Sequence, residues 1–296
     1  MTPAASVLSG AVSAVLVGAV SALSTGAASV VLRRGCPGDT ARWDRTNHRG
    51  DRVTLLEGPS FVAGSVAAAA LSGLSSRRRG DGASTAAGAV AVLAAGSLGA
   101  WDDLRGDDAS KGLRGHLSAL RQGRLTTGSV KIIGLAVSGL VSSWLVERGA
   151  VRSSAHSGAA RAAATVAGGG VVAGTANVVN LFDLRPGRAL KVVLATALPL
   201  APGQGGRSAA IASGAALALL PEDLAGRSML GDTGANGAGA LLGTAILERT
   251  GLRGRLVALG LLTALTLASE KVSFTRVIES TPVLRELDAL GRSTPG

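Results

Sequence analysis

Uncharged stretches alternate along this chain with short, charge-dense ones. Residues 1–32, 58–76, 82–101 and 162–182 carry no charged side chain. Each approaches or exceeds the roughly 20 apolar residues that cross a bilayer as a helix. Shorter uncharged runs follow at 132–146, 192–206, 208–221, 233–247 and 256–269. Runs of that length also suit core helices. The pattern predicts an all-α fold, a polytopic membrane helix bundle of about nine transmembrane helices forming a single integral-membrane domain over residues 1–296.

Composition agrees with the pattern. Only 17% of residues are charged, against roughly 25% in soluble domains, and the mean hydropathy is +0.38. The chain holds 43 Gly, three Trp and no Tyr. Small residues let membrane helices approach closely, and Gly239-Ala-Leu-Leu-Gly243 is a GxxxG instance. A general bias toward Ala, Gly and Arg accounts for much of the rest. The net charge of +11 would suggest nucleic acid in a soluble protein. Here the cations lie between apolar runs, so the expected partner is a lipid bilayer and not a nucleic acid. Cys36 is the single cysteine, which excludes an intramolecular disulfide. Residues 1–32 lack a basic start, and Arg33-Arg34 follow them, so a retained span is expected rather than a cleaved signal.

Basic residues then orient the spans. The loop at 33–57 carries Arg33, Arg34, Arg42, Arg45, Arg49 and Arg52, and the loop at 102–131 carries Arg105, Lys111, Arg114, Arg121, Arg124 and Lys131. The positive-inside rule makes both cytoplasmic, with the N-terminus outside and the C-terminus cytoplasmic. Arg77-Arg78-Arg79 and the trio Arg249, Arg253, Arg255 run against that bias. With this parity the third span descends to Asp102-Asp103, and the fifth to Asn177-Val-Val-Asn180-Leu-Phe-Asp183. Gly231-Asp232-Thr233 opens the eighth on the same face only if the chain makes a hairpin around Pro202-Gly-Gln-Gly-Gly206, a turn-rich sequence. Loops 33–57, 102–131, 183–191 and 222–233 would then surround one site, with a cytoplasmic tail at 274–296.

One carboxylate at a membrane boundary is unremarkable chemistry, a solvated end group. Several converging acids repel one another unless a cation or a shared proton intervenes. Oxygen ligands with few carboxylates favour Mg2+, with Mn2+ as the alternative. No Cys/His cluster exists for zinc, and His48, His116 and His156 are scattered.

Asp102-Asp103, Asn177-x-x-Asn180-x-x-Asp183 and Gly231-Asp232-Thr233-Gly234, in this order and on one membrane face, resemble the signature motifs of the polyprenyl-phosphate N-acetylhexosamine-1-phosphate transferases. That family includes phospho-N-acetylmuramoyl-pentapeptide transferase and undecaprenyl-phosphate N-acetylglucosamine-1-phosphate transferase. Lys111-Gly112-Leu113 resembles its second cytoplasmic loop, and Asn47-His48-Arg49-Gly50 with Gly58-Pro59 its first. The resemblance covers about residues 42–245. It implies transfer of a sugar-1-phosphate from a UDP-N-acetylhexosamine-type donor to polyprenyl phosphate, with release of UMP, in cell-envelope polysaccharide synthesis at the cytoplasmic membrane. It also implies Asp232 as the Mg2+ ligand, and Asp102, Asp103 and Asp183 as catalytic carboxylates. Asn177, Asn180, Lys111, Arg105, His48 and Arg49 are implied as substrate contacts, and a homodimer stays open.

The chain also departs from that family. Asp183 is followed by Leu-Arg-Pro-Gly-Arg188 without a second acid, and Ser269 to Ser280 contains no histidine where the family carries a histidine-rich loop. A divergent branch with its own donor accommodates these departures. The alternative is a catalytically inactive membrane scaffold of the same fold in envelope assembly. A transporter is disfavoured because the acids sit at segment ends and no internal repeat is visible. At residues 282–290, Val283, Leu284, Leu287 and Leu290 recur at helical spacing beside Arg285, Glu286 and Asp288, which predicts a short amphipathic helix on the membrane surface.

Overall fold

Small side chains decide how closely these helices meet. The computed structural model describes residues 3–35, 40–47, 50–76, 82–105, 122–123, 126–150, 157–203 and 206–292. Each uncharged run contributes a helix among the described residues, and only 192–206 outlasts its own, at Leu200: α1 (Pro3–Gly35), α2 (Glu57–Ser76), α3 (Gly82–Arg105), α4 (Thr127–Ala150), α5 (Gly158–Phe182), α6 (Arg188–Leu200), α7 (Arg207–Leu224), α8 (Gly231–Arg249) and α9 (Leu252–Ser269). Two short helices follow, α10 (Phe274–Ser280) and α11 (Pro282–Ala289).

Nearly all of α8 is buried, and its most extensive neighbours are α3 and α5. The GxxxG pair lies on the α5 side. A Cβ on Gly239 would stand 2.5 Å from the Thr175 carbonyl, and one on Gly243 would stand 2.7 Å from the Val172 Cα. The bare backbone is therefore what lets α5 close on α8. At the rim, α1 and α9 turn Leu8, Val15, Leu23, Leu256, Val257 and Leu261 outward.

Among the described residues, five helices are long and apolar enough to cross a membrane: Leu8–Gly35 within α1, Gly82–Arg105, Thr127–Gly149 within α4, Gly158–Phe182 and Leu252–Ser269. Lipid matches this outward apolar surface better than water does. Helix α6 is different. It has 13 residues, a rise of about 20 Å against a hydrocarbon core of about 30 Å, because Pro199 and the turn after it end the helix early.

Helix α4 outruns its apolar pattern at both ends, taking in Lys131, Glu147 and Arg148. Each charge has a partner that makes this tolerable. Glu147 Oε1 lies 2.6 Å from Arg255 NH1, Arg148 stacks over Trp144 at 3.9 Å, and Lys131 reaches the acids described below.

The hairpin anticipated around 202–206 is present, since α6 and α7 are separate helices packed side by side. It brings Gly231-Asp232-Thr233 to the same end as Asp102 and Asp183. Arg33 and Glu222 pair at that end at 3.3 Å, while Arg207 with Thr85 and Ser208 with Glu248 bond at the opposite end.

A β-hairpin was not expected at 33–57. Strands β1 (Asp44–Thr46) and β2 (Arg52–Thr54) pair antiparallel, with Arg45 opposite Val53. Thr54 also bridges Ser228, which ties the hairpin to the approach of α8.

The tail is docked as well as amphipathic. Arg188 Nε and NH2 donate to Asp288 Oδ1 and Oδ2, each at 2.8 Å, and Lys191 Nζ donates to the Asp288 carbonyl at 2.7 Å. Arg292 Nε reaches the Pro186 carbonyl at 2.8 Å, and Phe182 stacks on Phe274 at 5.3 Å. Val283, Leu284, Leu287 and Leu290 remain exposed along the outer face.

Candidate functional site

The site begins with the N-terminus of α8, whose first backbone N–H groups have no partner within the helix. Two carboxylates supply them. Asp103 Oδ1 accepts from the Asp232 N–H at 3.0 Å, and Oδ2 from the Thr233 N–H at 2.8 Å and the Thr233 hydroxyl at 2.6 Å. Asp183 accepts from the Gly231 N–H. Negative charge at this end also suits the helix dipole.

Two glycines make the arrangement fit. Gly231 adopts a φ of +60°, and a Cβ there would sit 3.1 Å from Asp103 Oδ2. Gly99 lies so close to α8 that a Cβ would overlap the Asp232 carbonyl. From β1, the Arg45 guanidinium donates to the Asp103 backbone carbonyl at the end of α3. Asp103 and Asp183 thus build the platform that holds Asp232.

On that platform Asp232 faces Asp102, with a cation between them. Lys131 Nζ, from the first turns of α4, lies 2.6 Å from Asp232 Oδ2 and 3.2 Å from Asp102 Oδ2. Asn180 on α5 also bonds to the Asp232 carboxylate. The three charged side chains keep 16–27% of their surface exposed, enough for a ligand to reach them. Four helices thereby contribute to one polar point: α3, α4, α5 and α8.

Lys131 was read from the sequence only as loop charge. A signal was available, because it is the single charged residue between Arg124 and Glu147. An ionisable group inside a membrane helix is a functional candidate in its own right.

The other expected residues divide. Asn177 donates to Thr266 Oγ1 on α9 at 3.1 Å and so ties two helices together. Arg105 stacks over Trp101 at 4.8 Å at the exposed end of α3. Asp183 is 8% exposed, and it lines, with Asp223, Asn47, Ser228 and Arg185, a cavity of about 30 Å³. Burial, with the nearby charge of Asp223, pushes the Asp183 carboxyl well above the usual range. Glu57, at the start of α2, bonds the Ser228 hydroxyl beside that cavity. His48, Arg49 and Lys111 lie outside the described residues.

Among the described residues no group of three His, Cys, Asp or Glu side chains converges as a metal cage. The donor set is instead two carboxylates, Asp102 and Asp232, with the Asn180 amide beside them. That set fits Mg2+, which binds through one or two carboxylates plus substrate phosphates, and it is too hard for zinc.

No protein-family model matches this chain, and no curated protein does.

Proposed function

We propose that this protein is a membrane transferase that moves a sugar-1-phosphate from a UDP-sugar to a polyprenyl-phosphate carrier and releases UMP. One observation carries the reading: Asp102, Lys131 and Asp232 meet at one end of a bundle whose rim is apolar. Such a site stands where a lipid phosphate in the bilayer and a nucleotide in water can both arrive. The family resemblance of the motifs around these residues supplies the substrate classes.

In this reading the bundle has about nine spans in the cytoplasmic membrane, with the acids on the cytoplasmic side. Helix α6, with 13 residues, is the shortest of these spans. An oxygen of the polyprenyl phosphate attacks the phosphorus bearing the sugar. A new P–O bond forms, the bond to the uridylyl phosphate breaks, and UMP carries away the electron pair. Mg2+ held by Asp232 and Asp102 would draw charge from the pyrophosphate. Lys131 adds a positive charge beside the same phosphates. Asp102 positions the acceptor phosphate, or takes its proton when it arrives protonated. Asn180 orients Asp232, and Asp103 with Asp183 keeps the α8 terminus in place.

The test uses purified protein, polyprenyl phosphate, Mg2+ and a panel of UDP-sugars. UMP release from at least one donor is expected. Asp232→Asn should lower it by orders of magnitude, as loss of a charge-stabilising group does, while the protein remains folded in detergent. Absence of UMP from every donor would overturn the transferase reading and leave the scaffold. Normal release by Asp232→Asn would remove that residue from the site.

A further inference from the structure

Lys131 uses the same carboxylate oxygens that a divalent ion would need. Its Nζ sits against Asp232 Oδ2 and Asp102 Oδ2 at 2.6 and 3.2 Å. We propose that Lys131 is an exchangeable counter-ion, which holds the acid pair in the unloaded protein and yields it to a divalent cation when a nucleotide pyrophosphate binds. The inference rests on the transferase reading for the identity of the nucleotide, and its test does not depend on turnover.

Charge gives the reason. Asp102 and Asp232 repel one another, and one ammonium leaves the group with a single net negative charge. A divalent ion entering alone would meet Lys131 on its ligands and would reverse the sign of the site. A pyrophosphate entering with the ion restores balance, because the ammonium can then bond phosphate oxygens. The ion and the nucleotide should therefore bind with positive coupling.

Residue type and placement suit the exchange. A lysine head is a compact charge with rotatable donors on a flexible stem, so it moves between carboxylate and phosphate more readily than the fixed fork of arginine. The stem grows from a firm base. Thr126 Oγ1 accepts from the Ser129 N–H at 3.1 Å at the start of α4, and α4 packs on α3 and α5. Asp103 cannot stand in as a ligand without giving up its bonds to Asp232 and Thr233.

Binding of Mn2+ to the full chain in lipid nanodiscs, read from the amplitude of the free-ion electron paramagnetic resonance signal, tests this with UDP as the nucleotide probe. In the wild type, UDP should tighten Mn2+ binding by about tenfold, an ordinary coupling free energy. Lys131→Met should bind Mn2+ alone about tenfold more tightly than the wild type and lose most of the coupling to UDP. Lys131→Gln provides the same comparison if the methionine variant is poorly folded. Asp232→Asn should abolish Mn2+ binding in either background. Unchanged or weaker Mn2+ affinity in a folded Lys131 variant overturns the proposal, as does a wild type whose Mn2+ affinity ignores UDP. If Mn2+ and UDP couple but no UDP-sugar yields UMP, the exchange stands and the transfer reaction falls.

Discussion

Asp102 and Asp103 are neighbours with opposite duties. Asp103 has both oxygens engaged by the α8 terminus, whereas Asp102 bonds Lys131 and stays partly exposed. Asp103→Ala leaves two backbone N–H groups without acceptors, at a cost of about 1–3 kcal/mol each where they are buried. The variant should melt at a lower temperature and lose activity because Asp232 moves. Asp102→Asn should melt near the wild type and still lose transfer. A thermal melt of both variants beside a UMP assay checks this, and equal melting would remove the platform role of Asp103. Gly231→Ala should behave like Asp103→Ala, since its Cβ would press on the Asp103 carboxylate and the positive φ disfavours any side chain.

The element most open to a pH test is α11. Burial alone would raise the Asp288 carboxyl. The Arg188 fork and Arg292 win, however, and hold it below the ordinary carboxylate range. A carboxyl lowered on docking favours the docked state above its undocked value and loses that advantage as pH falls through the docked one. The clasp should therefore persist at neutral pH and release only in acid, below about 3.9. A spin label at position 284 should stay immobile at pH 7 and gain mobility in strong acid. Asp288→Asn should free it at neutral pH, because Arg188 is 3% exposed and a buried charge stripped of its partner costs about 3–5 kcal/mol. Replacing both by apolar residues, Arg188→Met with Asp288→Leu, should cost less than either single change. A label at 284 unmoved by Asp288→Asn would show that the fork does not hold α11.

For the whole molecule the test is sidedness. Arg105, Arg185 and Arg227 lie at the acid end of the bundle, and Arg253, at the start of α9, at the other end. In a Cys36→Ser background, cysteines at 105, 185 and 227 should resist a membrane-impermeant maleimide on intact cells, and one at 253 should react. Labelling at 227 together with protection at 105 would separate α8 from α3 across the membrane, against the bond between Lys131 and both acids.

The apolar runs were legible because span length and helix propensity are local properties, readable without knowing any neighbour. The break between α6 and α7 was legible for the same reason, as Pro and Gly end helices wherever they stand. Residues 102, 180 and 232 could be picked out through the order of their motifs. Other features needed the fold. The Lys131 bonds span 29 and 101 positions, the Asp103 bonds to α8 about 130, and the Arg188–Asp288 fork 100. A carboxylate that caps a distant helix has the same local sequence as one that binds a ligand. The crossing of α3 over α8 at Gly99 is what assigns Asp103 to the backbone and leaves Asp102 to Lys131. The sequence alone determined which segments are helices and which residue types reach the ends of the bundle. Tertiary structure decided which of those charges meet, because helix packing, not chain spacing, sets the distances over which they act.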